Sequence, residues 1–505
     1  MKSKGNKEHA KGIFHWLSVH YLAFMKKAMI TAFIMIPVFC TGQVKKELSN
    51  SKQRPNILFI AVDDLRPELG CYGNAIVQSP NIDKLAKSGV IFNRAYCQQA
   101  VCAPSRISLM TGKRPNSTKV WDLQTHFRTT IPNVITLPQH FKNNGYHAQS
   151  IGKIYHDGTK AQDALSWSVP EILAETKKEG KYVLPANLGT KTPKAAATEI
   201  TDVPDNAYVD GQVAEQALDV LGKIKNKPFF LAIGFRRPHL PFSAPKKYWD
   251  MYQRKKIPLP GPSNPATNIP AYALHRNEEL TGYSDIDAGP IPEDKQRELI
   301  HGYYAAISYT DAQIGKVLAE LDRLGLTNNT IIVLWGDHGF HLGEKGLWAK
   351  TTNYELDTRV PLIISAPGKK KGVKTDALVE LVDLYPTLAG LSGLPTPDSL
   401  EGVSMAPLLT KPDRPWKTAA FSQFPRPWIY KNEPGVMGYA IRTNRYRYVE
   451  WRNFKTDAVE ATELYDCQTD PGEITNIVNA PDNKALVNEL KQKLNAGWRQ
   501  ALPKP

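Results

Sequence analysis

The chain has 505 residues with 42% hydrophobic and 22% charged side chains, ordinary proportions that exclude a fibrous or largely disordered protein and favour one large domain with a smaller companion. Its formal charge is +15, and residues 1–53 supply about half of that charge with nine lysines against two glutamates. The rest of the chain is moderately basic, which suits a polyanionic partner, but it has no basic stripe or nucleic-acid-binding motif, so we expect no nucleic-acid partner.

Residues 1–42 are predicted to be an export segment. The apolar run 28–39 follows two lysines and precedes Cys40, which is the arrangement of a secretory signal, and it is too short for a stable membrane span. Met25 is an alternative start to Met1. We expect cleavage and export to the periplasm or outside the cell, with lipid attachment at Cys40 as the alternative. The four later cysteines show no disulfide or metal spacing.

Alternating strands and helices predict an α/β catalytic domain over residues 54–425. Residues 56–62 form a continuous apolar run, as expected of a strand that is buried on both faces. Similar strands are expected at 148–151, 228–235 and 330–335, and helices at 81–92, after Cys102, at 137–144 and at 297–324. This order predicts a mostly parallel sheet between layers of helices.

Two long stretches interrupt this order, residues 157–205 and the proline-rich residues 257–292. Long loops within a compact domain are usually functional. We therefore interpret both stretches as walls of a substrate pocket, with plain surface decoration as the alternative.

The pattern changes near residue 430. Short strands are expected at 438–442 and 447–451, a turn-rich piece at 464–466, and an amphipathic helix at 483–500. Residues 430–505 are therefore predicted to form a small α+β subdomain with an antiparallel sheet.

A short motif around Cys102 is the most informative part of the chain. The sequence Cys-Ala-Pro-Ser-Arg at 102–106 is followed by Thr111-Gly112. With Ala103 left free, the pattern Cys-x-Pro-Ser-Arg and Thr-Gly fixes six residue types at six relative positions. Pro104 disfavours helix at the residue before it, whereas the serine and apolar residues after it form a helix start. We expect Cys102 at or just before a helix N-terminus, where an anionic group is stabilised. A buried structural cysteine is the alternative.

Carboxylates follow two of the predicted strands. Asp63 and Asp64 come directly after the first strand, and beyond a strand end both side chains can turn onto one cation. Asp337 and His338 follow the last strand of the domain. Several hard oxygen ligands favour Ca²⁺ or Mg²⁺ over zinc. The alternative to a metal site, if the Asp63-Asp64 pair is considered alone, is that these carboxylates cap a helix or lie in a solvated turn.

The Cys102 motif resembles the maturation motif of the sulfatase family. Further stretches look like the iduronate-2-sulfatase subgroup, so the resemblance spans nearly the whole chain after the export segment. The stretches that look like this subgroup are residues 62–67, 70–73, 98–106, 152–153, 238–239, 336–339, 342–344, 348–350, 422–427, 437–439 and 446–448. Sulfatases commonly have Asp-Asn where this chain has Asp337-His338, a departure that leaves the role of His338 open and points to the same subgroup.

The resemblance implies a type I sulfatase, a sulfuric ester hydrolase with an alkaline-phosphatase-like α/β sandwich. In this family a formylglycine-generating or anaerobic maturation enzyme oxidises the motif cysteine to formylglycine, whose hydrated aldehyde attacks a sulfate ester. Cys102 would be that precursor. One Ca²⁺ ion is implied, with the ligands Asp63, Asp64, Cys102 as formylglycine, Asp337 and His338.

The resemblance also gives roles to further charged side chains. Cations around the ester stabilise the charge that develops on the leaving oxygen, and those implied are Arg106, Lys153 and Lys350. His156 would remove the second hydroxyl proton of the hydrate, and His239 would protonate the leaving sugar oxygen. A solvated or structural position is the alternative for each of these side chains.

The implied substrate is a sulfated sugar of a polysaccharide or oligosaccharide. It is either a 2-O-sulfated uronate of a glycosaminoglycan or part of a sulfated algal polysaccharide such as ulvan. Two other functions compete with this one. One is a phosphoester hydrolase of the alkaline phosphatase superfamily, although those enzymes generally use serine or threonine with two zinc ions. The other is a non-catalytic polysaccharide-binding homologue in which Cys102 remains a thiol.

Overall fold

A computed structural model describes residues 54–158, 161–192, 194–261, 264–287 and 289–504. The predicted export segment 1–42 and Cys40 lie outside these residues. Within them, no helix combines the length and the apolar character needed to cross a membrane.

The described residues contain eighteen strands and twelve α-helices. The strands are β1 (Asn56–Val62), β2 (Val90–Phe92), β3 (Ala95–Tyr96), β4 (His147–Gly152), β5 (Thr198–Thr201), β6 (Phe229–Phe235), β7 (Phe242–Pro245), β8 (Thr330–Gly336), β9 (His341–Leu342), β10 (Trp348–Ala349), β11 (Arg359–Val360), β12 (Leu362–Ser365), β13 (Val373–Thr375), β14 (Val379–Glu380), β15 (Ala419–Arg426), β16 (Val436–Thr443), β17 (Tyr446–Asn453) and β18 (Val459–Asp466). The helices are α1 (Pro80–Lys87), α2 (Cys102–Thr111), α3 (Pro115–Thr118), α4 (Leu137–Asn143), α5 (Lys178–Lys181), α6 (Pro185–Leu188), α7 (Val209–Ile224), α8 (Lys246–Trp249), α9 (Glu293–Arg323), α10 (Glu355–Thr358), α11 (Leu384–Leu391) and α12 (Lys484–Ala496).

A seven-stranded sheet forms the centre of the fold, in the order β13-β2-β12-β8-β1-β6-β4. The strands β8, β1, β6 and β4 pair in parallel, and β12 is the antiparallel member. The predicted mostly parallel sheet is therefore confirmed. Because β8, β1, β6 and β4 are neighbours and run in one direction, their carboxyl ends lie along one edge.

Helices cover both faces of this sheet, which explains the continuous apolar runs of its strands. In β1, Leu58 and Ile60 face the layer of α1, α7 and α9, whereas Ile57 and Phe59 face the layer of α2, α4 and α11. All seven residues of β1 are buried. The predicted sandwich of a sheet between helices is confirmed.

Most predicted elements are present with shifts of a few residues, but two predictions were wrong. The helix expected over 81–92 ends at Lys87 and is followed by strand β2. A Cβ at Gly89 would lie 2.5 Å from the carbonyl oxygen of Ile364, so the chain turns here against β12. The turn-rich piece expected at 464–466 is the end of β18, where all three residues pair with β17.

The last part of the chain forms an antiparallel sheet in the order β15-β16-β17-β18, packed against α12. This confirms the predicted antiparallel C-terminal sheet. Its first strand begins at Ala419, before the change of pattern near residue 430.

The long stretch 157–205, which we interpreted as a wall of the substrate pocket, contains the short elements α5, α6 and β5, and β5 pairs with β7.

The ends of β4 and β6 approach each other so closely that only glycine fits at Gly234. A Cβ there would lie 1.9 Å from the carbonyl oxygen of Lys153. We expect Gly234→Ala to displace the chain at Lys153 and to lower the free energy of unfolding by about 1–3 kcal/mol, as for other overpacked sites. Urea denaturation followed by tryptophan fluorescence measures this change.

Gly222 in α7 is the matched control, because a Cβ there meets no atom within 4 Å. Gly222→Ala should stabilise the protein by up to about 1 kcal/mol, since alanine is the better helix former. Equal stability of the two variants would contradict the close approach at Gly234.

Candidate active site

The predicted site residues come together at the carboxyl edge of the parallel strands. Asp63 and Asp64 follow β1, Asp337 and His338 follow β8, and Lys153 follows β4. Cys102 is the first residue of α2, with Val101 in the N-cap position. Pro104 lies in the first turn of this helix, where a missing N–H costs nothing, so the helix starts slightly earlier than expected. The structure thus joins segments that are far apart in the sequence.

Arg106 holds this edge together. Its Nε donates to Asp337 Oδ2 at 2.8 Å and its Nη2 donates to Asp63 Oδ1 at 2.9 Å. Its Nη1 donates to the carbonyl oxygens of Lys153 and Ile154 at 2.6 and 3.0 Å. The side chain is fully buried, so the two carboxylates that it pairs with are held in fixed positions.

Cys102 faces one histidine and one lysine. Its Sγ lies 3.2 Å from Nε2 of His338 and 3.8 Å from Nζ of Lys153. Lys153 also donates to Asp63 Oδ2 at 2.6 Å. Burial alone would raise the pKa of Asp63, but Lys153 and Arg106 lower it well below its ordinary value. Asp63 is therefore ionised beside the cysteine.

Asp64 occupies the other side of the cysteine. Its backbone has a φ of 58°, in the left-handed region, and its N–H donates to Asp337 Oδ1 at 3.1 Å. Lys350 donates to Asp64 Oδ2 at 2.9 Å, whereas Oδ1 is buried without a hydrogen-bond partner among the described residues. His338 Nε2 lies 3.4 Å from this oxygen.

These groups fit a metal ion. Ligand atoms of Asp63, Cys102, Asp337 and His338 lie within 4.8 Å of one another, and a second such group joins Asp64 and His239 to Asp63 and Cys102. The unpartnered Oδ1 of Asp64 is the kind of buried acceptor that a cation would satisfy. Carboxylate oxygens dominate the set, which suits a hard divalent cation.

His239 lies at the open side of the site, with 27% of its side chain exposed. Its Nδ1 is 2.6 Å from the carbonyl oxygen of Leu240, and its Nε2 is 3.4 Å from Glu279 Oε1. Both ring nitrogens face oxygen acceptors, but burial and the nearby Lys350 lower the pKa of His239 well below its ordinary value. The neutral ring carries a single N–H, which one of these two acceptors receives.

Glu279 was missed by the sequence reasoning. It lies in the stretch 257–292, and its carboxylate accepts from Lys350 Nζ at 2.6 Å. Burial alone would raise the pKa of Glu279, but Lys350 and His239 lower it to about 2. The only signal in the sequence was the interpretation of this stretch as a pocket wall, which selects no single residue.

His156 lies beside the site but is not bonded into it. Among the described residues no hydrogen bond joins its ring to Cys102 or to the carboxylates, and its Nδ1 is buried without a partner. Burial and the nearby Lys153 lower the pKa of His156 to about 3, so the ring is neutral at physiological pH. With Ala103 and Phe127 it lines a cavity of about 260 Å³ next to the start of α2.

The sequence matches the family described as sulfatase over residues 55–394, which is more than half of the chain. The chain belongs to the sulfatase family. Residues 343–500 of this sulfatase also match a family described as the C-terminal part of N-sulphoglucosamine sulphohydrolase.

Known sulfatases resemble this one over most of their length. Iduronate 2-sulfatase of Mus musculus is 36% identical over 543 residues, covering 91% of this chain and 97% of the mouse protein. The Homo sapiens enzyme is 37% identical over 510 residues, covering 84% and 91%. An ulvan-active sulfatase of Formosa agariphila is 29% identical over 505 residues, covering 95% and 88%. The resemblance to the iduronate-2-sulfatase subgroup is confirmed.

Solved structures share the fold. A protein in complex with its substrate D-glucosamine-2-N,6-O-disulfate has a TM-score of 0.69 and 24% identity, covering 89% of this chain and 98% of that one. The phosphonate monoester hydrolase of Agrobacterium radiobacter has a TM-score of 0.73 and 22% identity, covering 89% and 96%. At these identities the likeness shows the alkaline-phosphatase-like fold alone.

The family settles the class of reaction. The protein is a sulfuric ester hydrolase, and sulfatases of this family generally use formylglycine and a metal ion. This confirms the predicted enzyme class over the competing phosphoester hydrolase, because the phosphonate hydrolase is similar in fold only.

The contact between Glu279 and Lys350 gives a prediction. Glu279→Gln keeps the size of the side chain but removes the charge that holds Lys350 and faces His239. A hydrogen bond to a charged group contributes about 1.5–3 kcal/mol, so kcat/KM for sulfate release should fall about 10- to 100-fold. Released sulfate, measured at several substrate concentrations, reports the change.

Glu278→Gln is the matched control, since Glu278 is the exposed neighbour of the same type. It should leave kcat/KM unchanged. If Glu279→Gln were as active as Glu278→Gln, the Glu279 carboxylate would have no part in the reaction.

Proposed function

We propose that this sulfatase removes sulfate from a sulfated sugar by a reaction centred on Cys102. The observation that carries the proposal is the convergence of Cys102 with buried carboxylates and cations at one strand edge. Asp63, His338 and Lys153 surround the cysteine, and Arg106 fixes the carboxylates behind it. This arrangement supports formylglycine at position 102 and one bound Ca²⁺.

Formylglycine at position 102 would supply a hydrated aldehyde whose oxygen attacks the sulfur of the ester. The N-terminus of α2 points its free N–H groups at this residue, which favours negative charge there. Ca²⁺ would be held by Asp63, Asp64, Asp337 and His338 together with residue 102, and it would supply positive charge at the reacting oxygens.

Charge balance supports the metal and the sulfate together. When all are counted as ionised, four carboxylates face three cations here, which leaves one uncompensated negative charge. Burial and the neighbouring carboxylates accordingly raise the pKa of Asp64 well above its ordinary value, despite Lys350. The carboxylates are Asp63, Asp64, Glu279 and Asp337, and the cations are Arg106, Lys153 and Lys350. A divalent cation would reverse the excess to one positive charge, and a sulfate monoester carries the single negative charge that neutralises it. Buried charges are stable only when they are compensated in this way.

Two basic side chains act on the ester in this proposal, and a third holds the carboxylates in place. Lys153 and Lys350 stabilise the sulfate oxygens, since each lies beside a carboxylate that flanks the cysteine. Preorganised cations of this kind stabilise the transition state because they need no reorganisation when charge develops. Arg106, whose donors are taken by Asp63, Asp337 and two carbonyl oxygens, positions the ligands behind the nucleophile.

The two histidines divide the proton transfers. His239 lies at the open side of the site with Nε2 toward the Glu279 carboxylate, and in this proposal it donates a proton to the leaving sugar oxygen. His156 is neutral, and its buried Nδ1 has no partner among the described residues; in this proposal it removes a proton from the group at position 102.

The sugar is proposed from the relatives. The mammalian relatives are named iduronate 2-sulfatases and a bacterial relative is named an ulvan-active sulfatase. We infer a sulfated sugar as the substrate unit, either a 2-O-sulfated uronate of a glycosaminoglycan or part of a sulfated algal polysaccharide such as ulvan.

Export and maturation complete the proposal. The segment 1–42 would direct the protein to the periplasm or outside the cell, and a formylglycine-generating or anaerobic maturation enzyme would be its partner before release. Residues 54–425 would form the catalytic domain and 430–505 the C-terminal subdomain, except that β15, at the end of the first range, belongs to the sheet of the second.

Modification of Cys102 is the direct test. In protein from the native host, mass spectrometry of the peptide around residue 102 should find the aldehyde in place of the thiol. The same preparation should release sulfate from 2-O-sulfated uronate disaccharides or ulvan fragments, and Cys102→Ala should release none. An unmodified thiol in the native host would favour the non-catalytic polysaccharide-binding alternative.

Metal binding gives a second prediction. Ca²⁺ at 100 times its dissociation constant should stabilise the folded protein by about 2.7 kcal/mol and raise Tm, because it binds the folded state alone. Asp337→Asn should abolish this rise. Asp250→Asn, which changes an exposed aspartate in a surface ion pair, should retain it. An equal response of both variants would contradict a metal ion at Asp337.

A further inference from the structure

Lys194 lies next to the groups of the active site but has no carboxylate partner of its own. It belongs to the long stretch 157–205, and its side chain is half-buried. It forms no ion pair with a carboxylate of the described residues, and its hydrogen bond there goes to the backbone carbonyl oxygen of Glu279, 2.7 Å from Nζ. An ammonium group has three N–H donors. Two of them are therefore left for an acceptor outside the described residues.

The backbone around Lys194 is fixed by the second long stretch, 257–292. The N–H of Ser284 donates to the carbonyl oxygen of Ala195 at 2.9 Å, and the N–H of Ala197 donates to Asp285 Oδ1 at 2.6 Å. The two stretches that we interpreted as walls of the substrate pocket are thus joined to each other beside Lys194.

The side chain of Lys194 passes over a glycine. A Cβ at Gly282 would lie 2.9 Å from Nζ and 3.0 Å from Cδ of Lys194, so a larger residue at this position would push the lysine aside. The Nζ atom lies 5.1 Å from the ring centre of Tyr283, a distance at which the ring attracts a cation. These contacts direct the ammonium group to one place.

Glu279 connects Lys194 to the catalytic groups. Its carboxylate accepts from Lys350 Nζ at 2.6 Å and lies 3.4 Å from His239 Nε2, whereas its backbone carbonyl accepts from Lys194. Burial lowers the pKa of Lys194, and Glu279 offsets this effect only in part while Lys350 adds to it. An anionic ligand would favour the charged form of the lysine.

Lys194 also lies outside the charge balance of the proposed active site. With Ca²⁺ and a sulfate monoester in place, the four carboxylates and three cations counted there leave no net charge. Lys194 is not among those cations. A substrate that carries one further negative charge would therefore find an uncompensated cation here, and a half-buried charge is stabilised by such a partner.

Lys181 is the other half-buried lysine of the stretch 157–205 without an ion pair among the described residues. Its surroundings differ from those of Lys194. Burial lowers the pKa of Lys181, Asp157 opposes this effect and Lys153 adds to it. Lys181 therefore lies toward Lys153, whereas Lys194 lies toward Lys350, so the two lysines can be tested separately.

We propose that Lys194 binds a second anionic group of the substrate, a carboxylate or a further sulfate of the saccharide, beside the sulfate that is cleaved. The inference rests on the proposed function, in which His239 meets the leaving sugar oxygen, since Glu279 contacts both His239 and Lys194. Lys194 is then a specificity-determining residue that favours saccharides with two anionic groups. A 2-O-sulfated uronate carries both groups on one sugar.

Binding can be measured without turnover in the Cys102→Ala protein, with Ca²⁺ present. The probes are a disaccharide of 2-O-sulfated uronate and N-acetylglucosamine, and the same disaccharide with its carboxylate reduced to an alcohol. Isothermal titration calorimetry gives Kd for each. Adding Lys194→Met should weaken binding of the carboxylate form about tenfold, the usual effect of losing a hydrogen bond between charged groups, and should leave Kd of the reduced form unchanged.

A third ligand separates the two sources of negative charge. It is the reduced disaccharide with an N-sulfate in place of the N-acetyl group. If Lys194→Met weakens this ligand about tenfold and leaves the carboxylate form unchanged, the group bound by Lys194 is a further sulfate. Lys191→Met is the matched control, because Lys191 is an exposed lysine of the same stretch, and it should change none of the three dissociation constants.

Gly282→Ala provides a second variant, since it displaces the Lys194 side chain without removing its charge. It should weaken the same ligand by a few-fold. An equal effect of Lys194→Met on all three ligands, or no effect on any of them, would overturn the proposal. So would a selective loss in Lys181→Met but not in Lys194→Met, and so would a failure of all three ligands to bind at millimolar concentration. Absence of sulfate release by the wild-type protein from its native host would instead contradict the proposed function, which the binding experiment does not require.

Discussion

The buried guanidinium of Arg106 joins the strand ends on which the site depends. It bonds to Asp63 after β1, to Asp337 after β8 and to two carbonyl oxygens after β4, while its own backbone belongs to α2. Breaking one partner of such a buried pair costs about 3–5 kcal/mol, because a charge is left without compensation. The position of the nucleophile's helix is therefore coupled to the position of the metal ligands. The guanidinium also lies over the ring of Trp335 in β8, 5.6 Å from the ring centre.

Compensation of charge explains why so many ionised groups can share one buried edge. Lys153 pairs with Asp63, and Lys350 bridges Asp64 and Glu279. No two of these cations share a single carboxylate oxygen, so each carboxylate keeps lone pairs for another partner. The structure thus presents an assembled site with one buried acceptor left without a hydrogen bond among the described residues, Asp64 Oδ1, which lies 3.4 Å from His338 Nε2.

The strand-end residues could be predicted from the sequence for a physical reason. Buried parallel strands are recognisable as apolar runs, and their carboxyl ends share an edge, so Asp63 and Asp337 were expected along the same edge of the sheet. The pairing of β1 with β8, which brings them together, is seen only in the structure. Glu279 could not be found in this way, since it lies in a proline-rich stretch whose path is set by contacts with distant residues such as Lys350 and Lys194.

The wrong assignments have similar causes. Residues 90–92 are apolar and continue a helical pattern, but hydrogen bonds to β12 and β13 place them in the sheet. The polar residues near 464–466 suggested a turn, yet Tyr465 donates to Glu463 at 2.5 Å and Leu464 N–H donates to Asn476 at 2.9 Å, so these groups are satisfied inside β18. Tertiary partners that are distant in the sequence decide both cases.

The burial of Cys102 constrains when it can be modified. The side chain is 2% exposed, and all ten residues of α2 are buried between the sheet and α11. An enzyme that modified this thiol in the folded protein would have to displace α2 first. Displacing α2 would also break the pairs of Arg106 with Asp63 and Asp337. If Cys102 is modified as we propose, the same contacts that hold the residue in place therefore favour modification before this region folds.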